Sequence, residues 1–370
     1  MSQQLRIGVL GAGWGAGLHL EGFRRVPGVT LAALSSRTRS RAERRAAEFG
    51  VPLVTDDIDE LIEAVDVVSV ATPPAAHLDA VLAAVRAGRH VLCDKPVALT
   101  APDARAMLDA AERAGVRHAS GFIWRNDPAL VELRRLLREG AIGPVLEVHS
   151  TGALGVPVLP MTWMYEAGDG GGALAQHGSH VIDRARWLVG AEVTAVCGRL
   201  HHDVKEAVVA ADFHDITDAF AWARQHHGTT VDAPRAPVRA DTGYDFVATF
   251  DSGVRARFWE AWHLAGPAED EVVVFGETGT LRWRGASGLT LHRIGAAPEV
   301  RDVDRAAGSG ANTPREIGLA RWGELAAAFV AAINGAADTG HPTLTDGWRV
   351  AAISDAVRRS HHSGRWEEVR

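Results

Sequence analysis

A glycine-rich turn between a strand-like run and a helix-like run constrains the fold of this chain more than any other feature. Residues 5–10 read LRIGVL, and the segment GAGWGAG that follows opens a helical pattern. Gly11 suits a tight turn, Gly13 allows the backbone to approach a pyrophosphate, and Ala16 is small enough for helix–strand packing. The negative phosphates would then lie at the amino end of a helix. The turn therefore predicts dinucleotide binding.

Strand and helix patterns alternate along the first third of the chain. Short apolar strands are predicted at residues 29–34, 65–71, 90–93 and 116–122, with helices near 39–49, 57–64, 77–87 and 101–114 between them. This alternation calls for a doubly wound parallel sheet, because right-handed crossovers cover both faces of such a sheet. Residues 1–122 are therefore predicted to form an α/β dinucleotide-binding domain of the Rossmann type.

The remainder of the chain, residues 123–370, has a different pattern. A predicted helix after Pro128 leads into longer, partly alternating strands, and the junctions at 251–253 and 277–279 are typical of hairpins. This pattern predicts an α+β domain with a large, mostly antiparallel open sheet. Two interpretations of residues 203–240 stay open, an insertion and a lid.

Composition and charge exclude several classes of partner. The 370 residues are 46% hydrophobic and 23% charged, as in a globular protein with about two domains. The 39 basic and 46 acidic residues give a formal net charge of −7, and the basic residues are scattered, so we expect neither nucleic acid nor membrane as a partner. Cys93 and Cys197 are the only cysteines, which excludes a disulfide framework and favours the cytoplasm. No apolar run reaches ~18 residues, so neither a signal peptide nor a membrane span is expected.

The end of the second predicted strand bears on the choice between NAD and NADP. In an NAD site a carboxylate at this point usually binds the ribose 2′-hydroxyl. This chain has Ser35, Ser36 and Arg37 instead, with Arg39 and Arg41 nearby. The residues favour a 2′-phosphate and hence NADP, and the alternative is a solvated basic start of a helix.

Two further strand ends are predicted at the same edge of the sheet. Thr72 and Pro73 close the third strand, and the segment Cys93-Asp94-Lys95-Pro96 closes the next. Ligands of open α/β sheets bind at the carboxyl ends of the strands, so Lys95 would lie beside the cofactor. The alternative for Lys95 is an ordinary surface lysine.

A second motif begins at three consecutive glycines, residues 170–172. Gln176, His180, Asp183 and Trp187 follow at helical spacing and predict one polar face. His177 is displaced by ~100° from that face and is assigned a structural role. The histidine doublets at 201–202, 226–227 and 361–362 lack metal-ligand spacing, so no metal is predicted.

Together these segments resemble the glucose-fructose oxidoreductase / inositol dehydrogenase / MocA family. The resemblance rests on GAGWGAGLHL with His19, TPPAAH at 72–77, AGRHVLCDKP at 87–96, GFIWRNDP at 121–128 and GGGALAQHGSHVIDRARWLVG at 170–190. It implies a Rossmann domain followed by an α/β domain whose open sheet mediates oligomerisation. It also implies oxidation or reduction of sugars, cyclitols or related polyols with NAD or NADP, with the nicotinamide between the domains.

The resemblance assigns candidate site residues position by position. Lys95 matches the lysine of a Glu-Lys-Pro motif in which Asp94 replaces the glutamate, and His180 matches the histidine of an Asp-x-x-x-His motif in which Gln176 replaces the aspartate. Lys95 and His180 are therefore the expected catalytic residues. Expected cofactor contacts are Gly11, Gly13, Trp14, Gly15, Ala16, Ser35, Ser36, Arg37, Thr72, Pro73, His77, Asp94, Lys95 and Pro96. Expected substrate contacts are Lys95, Trp124, Arg125, Trp163, Tyr165, Gln176 and His180.

Three functions remain open at this point. The first is an NAD(P)-dependent sugar or polyol dehydrogenase in which His180 takes the hydroxyl proton and Lys95 stabilises the alkoxide. The second is a redox-assisted elimination or hydrolysis with a retained cofactor, for which Tyr165 would be a further acid or base. The third is a non-catalytic protein that senses NAD(P). The sequence identifies neither the sugar, the carbon attacked nor the direction of the reaction.

The predicted second sheet also bears on assembly. Trp259, Trp262 and Trp283 lie in its strands and would provide more aromatic surface than one helical layer covers. We therefore expect the open face to pair between subunits, giving a homodimer or homotetramer.

Overall fold

The computed structural model describes residues 4–153, 155, 158–210, 213, 216–264, 269–285, 288–301, 303 and 314–370. The chain forms two compact units. Unit 1 comprises Met1–Ile123, Asp212–Asp218 and Gly308–Ala351, and unit 2 comprises Trp124–Ala211, Ala219–Ala307 and Ala352–Arg370. The predicted division into a domain of residues 1–122 and a domain of residues 123–370 stays a proposal, because these units are defined by packing and not by independent folding.

Strands and helices alternate through the first 123 residues as the sequence predicts. They are β1 Leu5–Leu10, α1 Trp14–Arg24, β2 Val29–Ser35, α2 Arg39–Phe49, β3 Leu53–Thr55, α3 Ile58–Ala64, β4 Val67–Val70, α4 His77–Arg86, β5 His90–Cys93, α5 Ala101–Ala114 and β6 His118–Ser120. The three-residue strand β3 is absent from the sequence prediction because so short a run carries no periodicity of its own.

The second part of the chain begins with α6 and is richer in strands. Its elements are α6 Pro128–Arg138, β7 Val145–Ala153, α7 Ser179–Val189, β8 Val193–His201, β9 Glu206–Val208, α8 Ile216–Gln225, β10 Arg235–Pro237, β11 Gly243–Phe250, β12 Arg255–Ala261, β13 Glu269–Gly276, β14 Gly279–Arg284, β15 Gly288–Arg293, β16 Glu299–Arg301, α9 Pro314–Ile333, α10 Leu344–Ser363 and β17 Glu367–Glu368. The segment 203–240 therefore contains a short antiparallel strand pair, β9 with β10, and the helix α8, which lies between these strands in the chain.

The sheet of unit 1 is entirely parallel. Its six strands lie in the order β3-β2-β1-β4-β5-β6, which is the doubly wound order expected of a dinucleotide-binding fold. Ile7, Val9, Val67 and Val91 are fully buried in it. Such continuous apolar strands are typical of a sheet covered on both faces, and the predicted α/β Rossmann fold is confirmed.

Polar side chains at helix starts determine where several helices begin. Thr100 accepts a hydrogen bond from the amide of Asp103 at the start of α5, and Asp127 accepts bonds from Ala129 and Leu130 at the start of α6. These oxygens satisfy amides that have no partner within the first turn of a helix. Pro128 follows Asp127 directly, at a position where its missing N–H costs no hydrogen bond.

Unit 2 contains a nine-stranded mixed sheet in the order β16-β15-β14-β13-β7-β12-β11-β8-β17. Strands β7 and β12 are parallel and the other neighbouring pairs are antiparallel, so the predicted large, mostly antiparallel sheet is confirmed. Along β12, Ala256, Phe258 and Glu260 are buried, whereas Arg255 and Arg257 are exposed. One face therefore packs in the core and the other is open.

The three tryptophans proposed for the open face do not share it. Trp262 and Trp283 are 4% and 1% exposed and pack in the core of unit 2, whereas Trp259 is 39% exposed. The expectation of an aromatic face built by all three is wrong, because the period-two alternation of β14 turns Trp283 inward.

Two further searches cover only the described parts of the chain. None of the helices found there combines the length and apolar character that a membrane span needs. Across the same residues, no three histidine, cysteine, aspartate or glutamate side chains are grouped so as to hold a metal ion.

Candidate active site

The glycine-rich turn of unit 1 joins β1 to α1. Gly11 has a φ of +109°, and a Cβ there would lie 2.6 Å from the carbonyl oxygen of Ala71, so both conformation and space require glycine. Its amide donates to the carbonyl of Ser35 at 2.7 Å. Gly13 is the N-cap of α1 and provides no side-chain cap, and no heavy atom of the described residues lies within 4 Å of its hypothetical Cβ. The turn thus fits a pyrophosphate, whose oxygens would accept the amides at the start of α1.

The turn after β4 adds a hydroxyl to this edge of the sheet. The side-chain oxygen of Thr72 is buried and has no hydrogen-bond partner among the described residues, an arrangement that suits a polar ligand. Nε2 of His77 lies 2.8 Å from the carbonyl oxygen of Thr72, and Nδ1 lies 3.1 Å from that of Pro96. Burial lowers the pKa of the fully buried His77. His77 therefore connects the turn after β4 with the turn after β5 through their carbonyl oxygens.

The residues at the end of β2 differ in exposure. Ser35 is buried, whereas Arg37 is exposed. The Ser36 hydroxyl accepts a hydrogen bond from the amide of Thr38 at 3.2 Å. Trp14 is also expected to contact the cofactor, but its side chain is not among the parts of the chain that the structure describes.

Asp94 and Lys95 follow β5 at the same edge. Oδ1 of Asp94 accepts a hydrogen bond from the Lys95 amide at 2.7 Å, and Oδ2 lies 3.4 Å from Nε2 of His19. Burial raises the pKa of Asp94, but His19 and Lys95 outweigh it and leave the pKa below its usual value. The His19 ring is fully buried, with Nδ1 2.7 Å from the Ser69 hydroxyl and the ring 3.9 Å from that of Trp322. The carboxylate that replaces the family glutamate is thus directed inward.

In unit 2 the triple glycine leads into a π-helical turn. Gly172 has a φ of +106°, and a Cβ there would lie 2.3 Å from Oδ1 of Asp241, whose other oxygen accepts the amide of Leu174. The segment Leu174–Gly178, called the π turn below, is π-helical and α7 continues directly from it. Within the π turn, the side-chain amide of Gln176 donates to the carbonyl of Gly170 at 2.7 Å. The regular α-helical spacing assumed for Gln176 and His177 therefore does not hold there.

The imidazole of His180 lies against the indole of Trp124. The ring centroids are 5.7 Å apart, and His180 is 8% exposed. Trp124 is in turn packed edge-on against Trp283 at 5.6 Å and covered by the guanidinium of Arg184 at 5.1 Å. The surface that supports His180 is therefore fixed by several contacts.

His177, for which the spacing of the motif predicts a structural role, contacts two carboxylates. Its Nδ1 is 2.7 Å from Oε2 of Glu260 and its Nε2 is 3.6 Å from Oδ2 of Asp270. Burial lowers the pKa of His177, but the charges and hydrogen bonds of the two carboxylates outweigh it and raise the pKa to about 10. Spacing along the chain could not reveal these partners, since they lie on strands more than 80 residues away.

Two residues that the sequence predicts to contact the substrate, Arg125 and Tyr165, instead bind other groups of unit 2. Arg125 donates to both oxygens of Asp183, at 2.8 and 2.5 Å, and this pair is largely buried. Tyr165 is fully buried, and its hydroxyl accepts the amide of Leu159 at 3.0 Å and lies 3.2 Å from Nε2 of His263. Burial raises the pKa of Tyr165 to about 12. Trp163 is 36% exposed.

Comparison with known proteins gives the chain its class. Residues 5–122 match the family model GFO_IDH_MocA, described as an oxidoreductase family with an NAD-binding Rossmann fold, and residues 130–282 match the GFO/IDH/MocA C-terminal domain. Fold, glycine turn and strand-end residues thus define an NAD-binding oxidoreductase. The chain belongs to the GFO/IDH/MocA family, and the resemblance seen in the sequence is confirmed.

Individual relatives agree with this class. The chain is 30% identical over 265 residues to a levoglucosan dehydrogenase of Pseudarthrobacter phenanthrenivorans, covering 68% of this chain and 66% of that protein. It is 34% identical over 247 residues to inositol 2-dehydrogenase 2 of Saccharopolyspora erythraea, covering 65% and 69%. The chain therefore spans about two thirds of the length of these relatives.

Solved structures share the whole fold. An oxidoreductase domain protein from Kribbella flavida is 26% identical and superposes with a TM-score of 0.83 over 100% of both chains. A levoglucosan dehydrogenase in complex with NADH and L-sorbose is 23% identical, with a TM-score of 0.83 over 99% of each chain, which shows a common fold. The prediction of an NAD(P)-dependent oxidoreductase is confirmed, and neither the elimination enzyme nor the non-catalytic sensor is favoured by these relatives.

Proposed function

We propose that this oxidoreductase transfers a hydride between a sugar, cyclitol or related polyol and a nicotinamide dinucleotide. The observation that carries the proposal is the match of residues 5–122 and 130–282 to the two GFO/IDH/MocA domains. Within these ranges Lys95 and His180 resemble the catalytic motif residues of the family. The curated relatives, named as dehydrogenases of levoglucosan and inositol, support the substrate class.

The proposed roles follow from the chemistry of the side chains. When bound, the nicotinamide supplies or accepts the hydride. The imidazole of His180 takes the hydroxyl proton, because histidine titrates near neutral pH. The ammonium of Lys95 stabilises the developing alkoxide. Gln176 cannot titrate, so its amide only donates or accepts hydrogen bonds.

The preferred cofactor is a finer proposal. The family binds NAD. Residues 35–37 provide no carboxylate that would repel a 2′-phosphate, and Arg37 is exposed. We therefore propose that NADP binds at least as tightly as NAD.

Purified protein tests the function directly. We expect reduced nicotinamide to accumulate when the protein is given NAD or NADP with one member of a panel of sugars, anhydrosugars and cyclitols. Product without net change in nicotinamide absorbance would instead indicate elimination with a retained cofactor. Tight cofactor binding without product from any panel member would contradict the proposal.

Assembly and compartment also remain proposals. The open face of the β12 region presents Trp259, which is 39% exposed, and we propose that this face pairs with a second copy to give a homodimer or homotetramer. Light scattering that gives about 39 kDa at micromolar concentration would contradict this. Cys93 and Cys197 are free thiols, which supports the reducing cytoplasm as the compartment.

A further inference from the structure

Two acidic side chains on the inner face of the nine-stranded sheet have a gap between them. Glu260 of β12 and Asp270 of β13 are both paired with Gly152 of β7, from opposite sides. Gly152 has no side chain, and a Cβ there would lie 3.3 Å from Cγ of Glu260. The row Glu260-Gly152-Asp270 therefore leaves room for a group that contacts both carboxylates.

The imidazole of His177 takes that place. One ring nitrogen is 2.7 Å from Glu260 and the other faces Asp270 at 3.6 Å. A neutral imidazole has only one N–H, so this arrangement between two carboxylates favours the doubly protonated ring. The side chain of His177 is only 14% exposed, so water does little to screen its charge from those of Glu260 and Asp270.

Other groups saturate both carboxylates. Glu260 also accepts hydrogen bonds from the Tyr244 hydroxyl at 2.7 Å and from Nε1 of Trp262 at 2.6 Å. Asp270 accepts two bonds from the guanidinium of Arg184, at 3.0 and 3.2 Å. Two cations thus balance two anions, and His177 is unsuited to accept a proton near neutral pH.

Two routes connect this cluster to His180. His177 lies within the π turn that leads into α7, three residues before His180. Its ring also packs edge-on against Trp124 at 5.4 Å, and the His180 ring lies against the same indole. We propose that His177, clamped over Gly152 by Glu260 and Asp270, is a positioning residue that holds the π turn and Trp124 and thereby orients the imidazole of His180.

This inference rests on the proposed function and deepens it, since it assigns His177 a role in the rate but not in proton transfer. A misplaced base slows the chemical step more than it weakens binding. Replacement of His177 should therefore lower kcat and leave KM and cofactor affinity nearly unchanged. If the cluster served stability alone, replacing His177 would lower the free energy of unfolding but would not lower kcat selectively relative to KM.

The first experiment compares His177→Gln with a matched control. His201 also faces a carboxylate, with Nε2 2.5 Å from Asp245, but that pair is exposed. We expect His177→Gln to lower kcat by about tenfold or more, whereas His201→Gln stays within about twofold of wild type. A folded His177→Gln variant with wild-type kcat would overturn the inference. A wild type that oxidises or reduces no polyol would overturn the proposed function and, with it, this role of His177.

A second variant decides the matter if His177→Gln does not fold. Glu260→Gln keeps the size and one hydrogen-bonding oxygen of the side chain but removes one of the two negative charges that face His177. Nitrogen NMR of the imidazoles should show His177 protonated at about pH 8.5 in wild type, where an ordinary histidine is neutral, and neutral there in Glu260→Gln, with a lower kcat. A His177 that is already neutral in wild type, or a Glu260→Gln variant with unchanged kcat, would overturn the inference.

Discussion

The cofactor edge of unit 1 and the His180 region of unit 2 are built in opposite ways. The cofactor edge relies on backbone: Gly11, where both space and conformation require glycine, the amides at the start of α1, and strand ends brought together by a parallel sheet. The His180 region relies on side-chain charges, with His177 and Arg184 balanced by Glu260 and Asp270. Variants should therefore disturb the first region through steric effects and the second through charge.

The largest effect is expected from the two proposed catalytic residues, Lys95 of unit 1 and His180 of unit 2. His180→Ala and Lys95→Ala should each lower turnover by about two orders of magnitude or more, the scale of acid–base and electrostatic groups. Cofactor affinity should be largely retained, since the glycine turn is untouched. Steady-state kinetics and a cofactor titration check both statements.

Gln176→Ala is the matched comparison for these variants. Its amide bonds to Gly170 and takes up no proton, so its loss should cost less than that of His180. Near-wild-type turnover in His180→Ala, together with loss of activity in Gln176→Ala, would mean that another group moves the proton.

Two glycines of unit 1 separate steric from ligand effects. Gly11→Ala places a Cβ against the Ala71 carbonyl in a backbone conformation that alanine rarely adopts, so both stability and cofactor affinity should fall. Gly13→Ala meets no described protein atom within 4 Å, so its stability should be unchanged. Its cofactor affinity should still fall about tenfold, because the Cβ would displace a pyrophosphate. Unchanged affinity in Gly13→Ala would place the phosphates elsewhere.

A smaller effect concerns the two cofactors. Ser35→Asp introduces a carboxylate that repels a 2′-phosphate and can bind a 2′-hydroxyl, so the ratio of NAD to NADP affinity should rise. Thermal shift titrations with both cofactors measure the ratio. If wild type already binds NAD more than about tenfold better, a difference of about 1.4 kcal/mol, the argument from residues 35–37 is wrong.

The same contrast explains how far the sequence predicts the site. The strand, turn and helix from Leu5 to Arg24 are local in sequence, so the residue types alone reveal the glycine turn. The contacts of His177 with Glu260 and Asp270 depend on the register of β12 and β13 against β7. They also depend on a π turn that breaks the α-helical period. Neither follows from a single-sequence pattern, which is why His177 received a structural role and its carboxylate partners were not recognised.

The smallest effect, a dependence of stability on pH, should differ in direction between the two regions. Burial lowers the pKa values of His77, His90 and His118 in unit 1, so the unfolded chain binds protons that the folded unit does not, and stability falls as the pH drops below about 6.5. The pKa of His177 is raised to about 10, so its contribution is complete below about pH 6.5 and is lost as the pH rises through 10. Denaturant unfolding across this range should show that His77→Gln flattens the acid side of the stability curve and His177→Gln flattens the alkaline side. If His177→Gln changed the acid side instead, the carboxylates would not be holding a proton on that ring, and the contrast between a steric and a charged region would fail.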